Sequence, residues 1–548
     1  MLLASGLAHQ REGRLAQAEH CYLAALRIDP GNAEATYRMG VLGLQSGNGE
    51  GALAYLSRVI AARLNDADAL YNMAMANVLA DRLGEGQRWF RRCLDVDPGH
   101  VLAHVGLGNA LRFLGRVEEA AEHYRMGVRL PGVTASIFSN LLVALHSNPQ
   151  ASLDELFELH REWERRFALP IYRDQRPHAS DRTAERVLRV GFVSPSFNSN
   201  IVGHFFRGVL AALARRDDVE PFLYANSTNT DWISAELKKL GAQWRDVETL
   251  SDDAAAAQVR VDKIDILVDL AGHTPGNRLL MFALRPAPIQ ITWLDYFDTT
   301  GMTAIDYLVA DPTSAPADGA QRFTERVLRM PSARLCFTAP PFAPAVAPLP
   351  VLRAGSISFG SFTRSDKISP EVVAVWARVL ADVPHSRLVL KSGTLKFSEV
   401  RSRLQRNFGE LGIDSARLEF RNESAHPQLL AEYADVDIAL DPFPYNGGAT
   451  TCDALWMGVP VVARLGNSMV SRQSAAMLQA AGLPQLVARD DQHYVQIAVA
   501  LAADHTALAA LRGRLRSQTA ASPLCDANGF AEALMQQLRR IWHEWCRT

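Results

Sequence analysis

ASGLAHQREGRLAQAEHCYLAALRIDP (4–30) sets a register that the first quarter of the chain repeats. Gly6 returns as Gly40, Ala74 and Gly108, each 34 residues after the last. Ala18, Ala52, Gly86 and Ala120 keep the same step, as do Tyr22, Leu56, Phe90 and Tyr124. Pro30 returns two periods later as Pro98. A small residue lets paired helices approach closely, the aromatic or leucine fills the gap between them, and the proline ends the second helix. Stacked pairs of this kind build an α superhelix with a concave groove.

These registers in phase resemble tetratricopeptide (TPR) repeats, and we assign residues 1–134 to them. The resemblance implies a groove that takes extended peptide, so a protein or peptide partner is expected there.

The pattern then changes. Residues 135–185 read as a helical bridge and linker: SLDELFELHREWERRF (152–167) spaces its apolar residues as a helix does, and YRDQRPHASDRTAE (172–185) is polar. Short β-rich runs follow, VLRVGFVS (187–194), PFLYAN (221–226), IDILVDL (264–270) and IQITWL (289–294), separated by helical stretches. After FTAPPFAPAVAPLP (337–350) comes a second set: SISFGSF (356–362), RLVLKS (387–392), RLEFRN (417–422), IALDPF (438–443) and VPVVAR (459–464). Such alternation predicts α/β folding as two Rossmann-like domains, 186–345 and 346–548, with a cleft between the carboxyl ends of their sheets. Neither half places GxGxxG after its first strand, which argues against a dinucleotide.

Composition narrows the function. The 548 residues carry a formal charge of -2, without the basic footprint of a nucleic-acid binder. No apolar run reaches the roughly 18 residues that span a bilayer, and Arg11 and Glu12 come too early for a signal-peptide core. The six cysteines are scattered without a CxxC pair, so neither a zinc site nor a disulfide framework is expected, and a reducing cytoplasm is. Asp435 and Asp437 in ADVDIALD (434–441) read as structural, so no metal site is expected.

GSFTRSDKISPEVVAVWARVLADVPHSRLVLKS (360–392), DPFPYNGGATTCDALWMGVPVV (441–462) and ALRPAPIQITWLDYFDTTG (283–301), behind such repeats, resemble the protein O-GlcNAc transferase and SPINDLY family. The resemblance implies a GT-B glycosyltransferase that moves a sugar from a nucleotide, N-acetylglucosamine from UDP or fucose from GDP, onto Ser or Thr of proteins without a metal. A leaving diphosphate then needs a cation and hydrogen-bond donors. Lys367 matches the family lysine at the diphosphate. Gly448, Ala449, Thr450 and Asp453 fall where the family contacts diphosphate and ribose; Ala449 stands in place of a hydroxyl residue, and Thr451 is the hydroxyl that could compensate. His426 resembles the histidine of an HPQ segment near the nucleotide.

The acceptor side departs from the pattern. Asn200 in SPSFNSNIVGHF (194–205) replaces a histidine proposed in the family as general base, a task asparagine cannot do. His204 and His273 are the remaining candidates, and His273 at a strand's carboxyl edge has the better claim. WLDYFDT stands for the family's WLGYPGT, with Asp295, Phe297 and Asp298 replacing Gly, Pro and Gly. Asparagines line the groove of the family's long arrays; at those positions this chain has Ala4, Arg38, Asn72, Gly106 and Asn140, which speaks against that mode of peptide binding. Three readings stand: transfer of N-acetylglucosamine from UDP-GlcNAc to protein; transfer of another sugar, or to a bacterial surface protein; and a nucleotide-binding TPR interaction protein without transfer, which Asn200 favours.

Overall fold

The computed structural model describes residues 1–178 and 180–548. The chain divides into two compact units, Met1–Ile137 with Gly393–Arg406, and Phe138–Ser392 with Asn407–Thr548. Of the segment 135–185, the residues from Phe138 onward fall in the second unit.

The first unit pairs Leu2–Arg11 with Leu15–Ile28, Ala33–Gln45 with Gly49–Ala62, Ala67–Leu79 with Leu83–Val96, and Val101–Phe113 with Val117–Arg129. The small-residue register is steric. A Cβ on Gly6 would lie 2.5 Å from the Tyr22 ring, on Gly40 2.7 Å from Leu56, and on Gly108 2.7 Å from the Tyr124 ring. Two further registers emerge. The turns inside the pairs place Gly13, Gly47, Asp81 and Gly115 at φ of 73°, 73°, 60° and 72°, the left-handed region that glycine enters freely and aspartate tolerates. Asn32, Asp66 and His100 each cap the helix that follows, accepting from the N–H groups of Ala35, Ala69 and Ala103.

The second unit holds two all-parallel sheets. The first contains β1 (Leu188–Ser194), β2 (Val219–Ala225), β3 (Gln243–Asp246), β4 (Ile266–Asp269), β5 (Ile289–Thr292), β6 (Tyr307–Ala310) and β7 (Arg326–Arg329), in the order β3-β2-β1-β4-β5-β6-β7. The second contains β8 (Ser358–Ser361), β9 (Arg387–Lys391), β10 (Leu418–Arg421), β11 (Ile438–Leu440), β12 (Val461–Arg464) and β13 (Val487–Ala488), in the order β10-β9-β8-β11-β12-β13. Both are doubly wound, and the order reverses between β1 and β4 and between β8 and β11. Their central strands are covered on both faces: β4 and β8 are buried throughout, and β1 at every residue but Arg189.

The final helix, Ala527–Cys546, returns to the first sheet's domain. Phe530 stacks on Trp293 with ring centroids 5.6 Å apart, and Arg539 donates to the carbonyls of Ala184 and Asp218. Among the described residues no single helix is long and apolar enough to cross a membrane.

Candidate active site

Reversal of strand order opens a crevice at the carboxyl ends of the flanking strands. In the second sheet it brings the loop after β8 beside the loop after β11. Lys367 closes a short turn, Ser365–Lys367, before the helix Pro370–Asp382, which Ser369 caps. Its ammonium donates to the Asn446 carbonyl at 2.8 Å and lies 3.9 Å from the centre of the Tyr445 ring. Burial and the Arg364 charge pull its pKa below the ordinary lysine value. Asp441 moves the other way: burial raises it, while the Gly447 N–H and the Lys367 charge restrain it. Its Oδ1 accepts from Gly447 at 2.7 Å.

Gly447 is glycine for want of room, since a Cβ there would lie 2.6 Å from Thr451 Oγ1 and 2.7 Å from Asp441 Oδ1. Helix Ala449–Trp456 starts at Gly448 without a side-chain cap. The N–H groups of Thr451 and Cys452 bond to the Gly448 carbonyl, at 3.1 and 3.4 Å. Those of Gly448, Ala449 and Thr450 have no acceptor among the described residues. Three free donors at a helix N-terminus, beside a cation, offer the surroundings that an anion needs. Thr451 does not supply a hydroxyl to it. Its Oγ1 is buried against Ser474 Oγ at 3.0 Å, so it holds the loop in shape, while Thr450 is half-buried.

His426 and His204 meet. His426, on helix His426–Glu432, contacts Asp453 Oδ2 through Nε2 at 3.2 Å. The His204 ring, on helix Ile201–Leu213, packs edge-on against it at 4.9 Å. His204 Nδ1 has no partner among the described residues, and burial, His426 and Arg207 pull its pKa down to about 4. Asn200 caps that helix, accepting from Ile201 N–H at 2.6 Å, and its amide donates to Ser196 Oγ at 3.2 Å.

His273 is not a cleft base, contrary to expectation. It is wholly buried. Its Nε2 donates to the Thr300 carbonyl at 2.9 Å, which leaves Nδ1 to accept from Ser139 Oγ at 2.9 Å. Both ring nitrogens are committed, and burial pulls its pKa well below the usual histidine value. The chain turns at Gly272, φ 55°, and the ring packs against Trp163 and Tyr296 instead of facing the crevice. Asp437 is structural as expected: its carboxylate accepts from the N–H groups of Val351 and Ser358, while Asp435 pairs with Arg421 at 3.0 Å.

Residues 170–337 and 350–534 match glycosyl transferase family 41, and residues 3–69 and 71–132 match tetratricopeptide repeats. The chain belongs to glycosyl transferase family 41. It is 38% identical over 415 residues to "Probable UDP-N-acetylglucosamine--peptide N-acetylglucosaminyltransferase SPINDLY" of Oryza sativa subsp. japonica, covering 74% of this chain and 44% of the relative. Its likeness to the same-named protein of Petunia hybrida is 37% over 415 residues, with 74% and 44% covered. The chain thus spans under half the length of these curated relatives. A solved Thermobaculum terrenum O-GlcNAc transferase mutant superposes with a TM-score of 0.82 at 34% identity, over 100% of this chain and 97% of that one.

Two side chains at this family 41 crevice, Arg334 and Gln473, carried no local signal in the sequence. Arg334 is buried; it donates to the Leu294 carbonyl at 2.9 Å and to Gln473 Oε1 at 3.1 Å. Gln473 in turn donates to the Gly447 carbonyl at 2.8 Å. This chain of bonds ties the loop after β5 to the anion loop across the crevice. Asp295 follows Leu294 and is half-buried; burial pushes its pKa up to about 6, against the Thr274 hydroxyl and the Arg334 charge.

Proposed function

We propose that this chain transfers a sugar, N-acetylglucosamine from UDP-GlcNAc, to Ser or Thr hydroxyls of proteins. The observation that carries the reading is the placement of the Lys367 ammonium on the Asn446 carbonyl, at the mouth of the free N–H groups of Gly448, Ala449 and Thr450. A nucleoside diphosphate gains charge as its bond to the sugar breaks, and a fixed cation with preset donors stabilises that charge most where it develops. Asp453, oriented by His426, supplies a carboxylate for nucleoside hydroxyls. The names of the SPINDLY relatives and the Thermobaculum terrenum transferase support the donor and the acceptor class. The repeats support recruitment of a protein or peptide acceptor, and the buried thiols Cys93, Cys336 and Cys452 fit a reducing cytoplasm.

Asn200 and Asp295 favour a second reading, in which the donor sugar differs. Asn200 is spent on capping a helix, and Asp295 brings a carboxylate where the motif it resembles has glycine. A panel of nucleotide sugars, scored for hydrolysis and for transfer to peptide, separates the readings. Turnover of UDP-GlcNAc above the rest supports the first, turnover of another donor supports the second, and binding without turnover of any donor refutes both.

A further inference from the structure

Behind the loop that follows β5, side chains distant in sequence converge. His146, just past helix Ala135–Leu145, His160 on helix Leu153–Trp163, and Asp298 bring their ligand atoms within 4.8 Å of one another. His146 Nε2 lies 3.5 Å from Asp298 Oδ2. The Tyr296 hydroxyl lies 2.7 Å from His160 Nε2 and 3.3 Å from His146 Nε2. A tetrahedral cation about 2.0–2.1 Å from each donor spaces those donors about 3.3–3.5 Å apart; the 3.3 and 3.5 Å separations meet that spacing, and the 2.7 Å hydrogen bond between Tyr296 and His160 would open to admit the metal.

We infer that His146, His160, Asp298 and Tyr296 form a buried structural site for a divalent transition metal, zinc by its donor set. Second contacts point the donors inward. His160 Nδ1 donates to the Leu156 carbonyl at 2.6 Å, which leaves its Nε2 lone pair facing the cluster. Asp298 Oδ1 accepts from the Thr299 N–H at 2.7 Å, which leaves Oδ2 toward His146. Charge points the same way. Asp298 is 3% exposed, and no lysine or arginine pairs with it among the described residues. The neighbouring acid, Glu325, is bonded to Thr299 and Thr300, and it too is buried. A buried carboxylate without a cation is costly, and a bound metal supplies one. Two neutral imidazoles and a carboxylate are zinc donors, and the Tyr296 oxygen stands beside them at the fourth position.

The site would act through the wall of the crevice. Phe297 packs against His146 at 4.9 Å on one side and against Tyr445 at 5.0 Å on the other, and Tyr445 carries Lys367. Because the donors are buried, the metal would enter as the chain folds.

The test is elemental analysis of the full chain produced with zinc and purified without chelator. Close to one zinc per chain is expected in the wild type, and almost none in Asp298→Asn or His146→Ala. Refolding with Co2+ should give the visible absorption of tetrahedral cobalt in the wild type alone. A wild type that holds no stoichiometric metal and shows no cobalt band overturns the inference, whatever the variants do. So does an Asp298→Asn protein that folds, by circular dichroism, and keeps its zinc.

Discussion

Lys367 and Asn446 stand 79 residues apart, yet the lysine ammonium donates to the asparagine carbonyl at 2.8 Å. The bond exists because β8 and β11 are neighbours in the sheet while their loops diverge in sequence. It holds a cation, with no salt bridge to it among the described residues, where the proposed reaction would leave a diphosphate. A carbonyl dipole and an aromatic face hold that charge, and the nearby carboxylates of Asp366 and Asp441 favour it.

Lys367→Ala should therefore weaken binding of UDP about ten- to a hundredfold, as a charge-assisted contact worth about 1.5–3 kcal/mol implies, and should nearly abolish transfer. The melting temperature should change little. Calorimetric titration with UDP checks this, and undiminished affinity in the variant would remove Lys367 from the site.

His273→Ala should act on stability. Loss of two buried hydrogen bonds and a filled volume costs about 2–4 kcal/mol. Donor hydrolysis per folded molecule should stay near the wild-type rate at low temperature. A variant as stable as the wild type but inactive would restore His273 to the chemistry.

Gln473→Ala leaves the buried Arg334 guanidinium one acceptor short and leaves the Gly447 carbonyl to the Ser474 hydroxyl alone. We expect a loss of about 1–3 kcal/mol of stability and a weaker grip on UDP. Denaturant unfolding and UDP titration of the same preparation read both effects; no change in either would mean that the chain of bonds across the crevice is idle.

His204 sets an acid limit. Its folded pKa, about 4, lies below the ordinary 6.5, so the unfolded state takes up its proton first as pH falls. Its neutral form contributes stability fully above pH 6.5, and this is lost between 6.5 and 4. The stability advantage of the wild type over His204→Gln should shrink across that window. Melting curves at half-unit steps test it, and a constant gap would place the histidine in solvent.

In the repeats, Gly108→Val should cost about 1–3 kcal/mol through overpacking against Tyr124. Loss of unfolding cooperativity or a lowered midpoint in urea is the readout. An unchanged midpoint would mean the helix pair is looser than its contacts indicate.

Much of this was legible beforehand, for physical reasons. The repeat shows in the sequence because Gly6 and Tyr22 are sterically coupled, and the same pair recurs every 34 residues. The turn register at Gly13, Gly47, Asp81 and Gly115 was equally present but breaks from glycine once. VLRVGFVS was readable as a strand because it is buried on both faces, whereas β3, QWRD, is a polar edge and announces nothing. Lys367 and the Gly447–Gly448 loop came from contiguous motifs. His273 was misjudged because a strand end indicates an edge of the sheet but not the rotamer, which Ser139 from a helix 134 residues away decides. Arg334 and Gln473 meet across 139 residues, and His146 and Asp298 across 152, so spacing rules for ligands could not find either pair.

The return of Ala527–Cys546 to the first sheet has a bearing on how the chain is made. Trp293 is synthesised well before Phe530, the ring that covers it. Until the last helix leaves the ribosome, the earlier α/β domain keeps an apolar face open to water, however complete its strands. A stalled or prematurely terminated product would expose that face, and quality control would meet it as a hydrophobic patch instead of a finished domain.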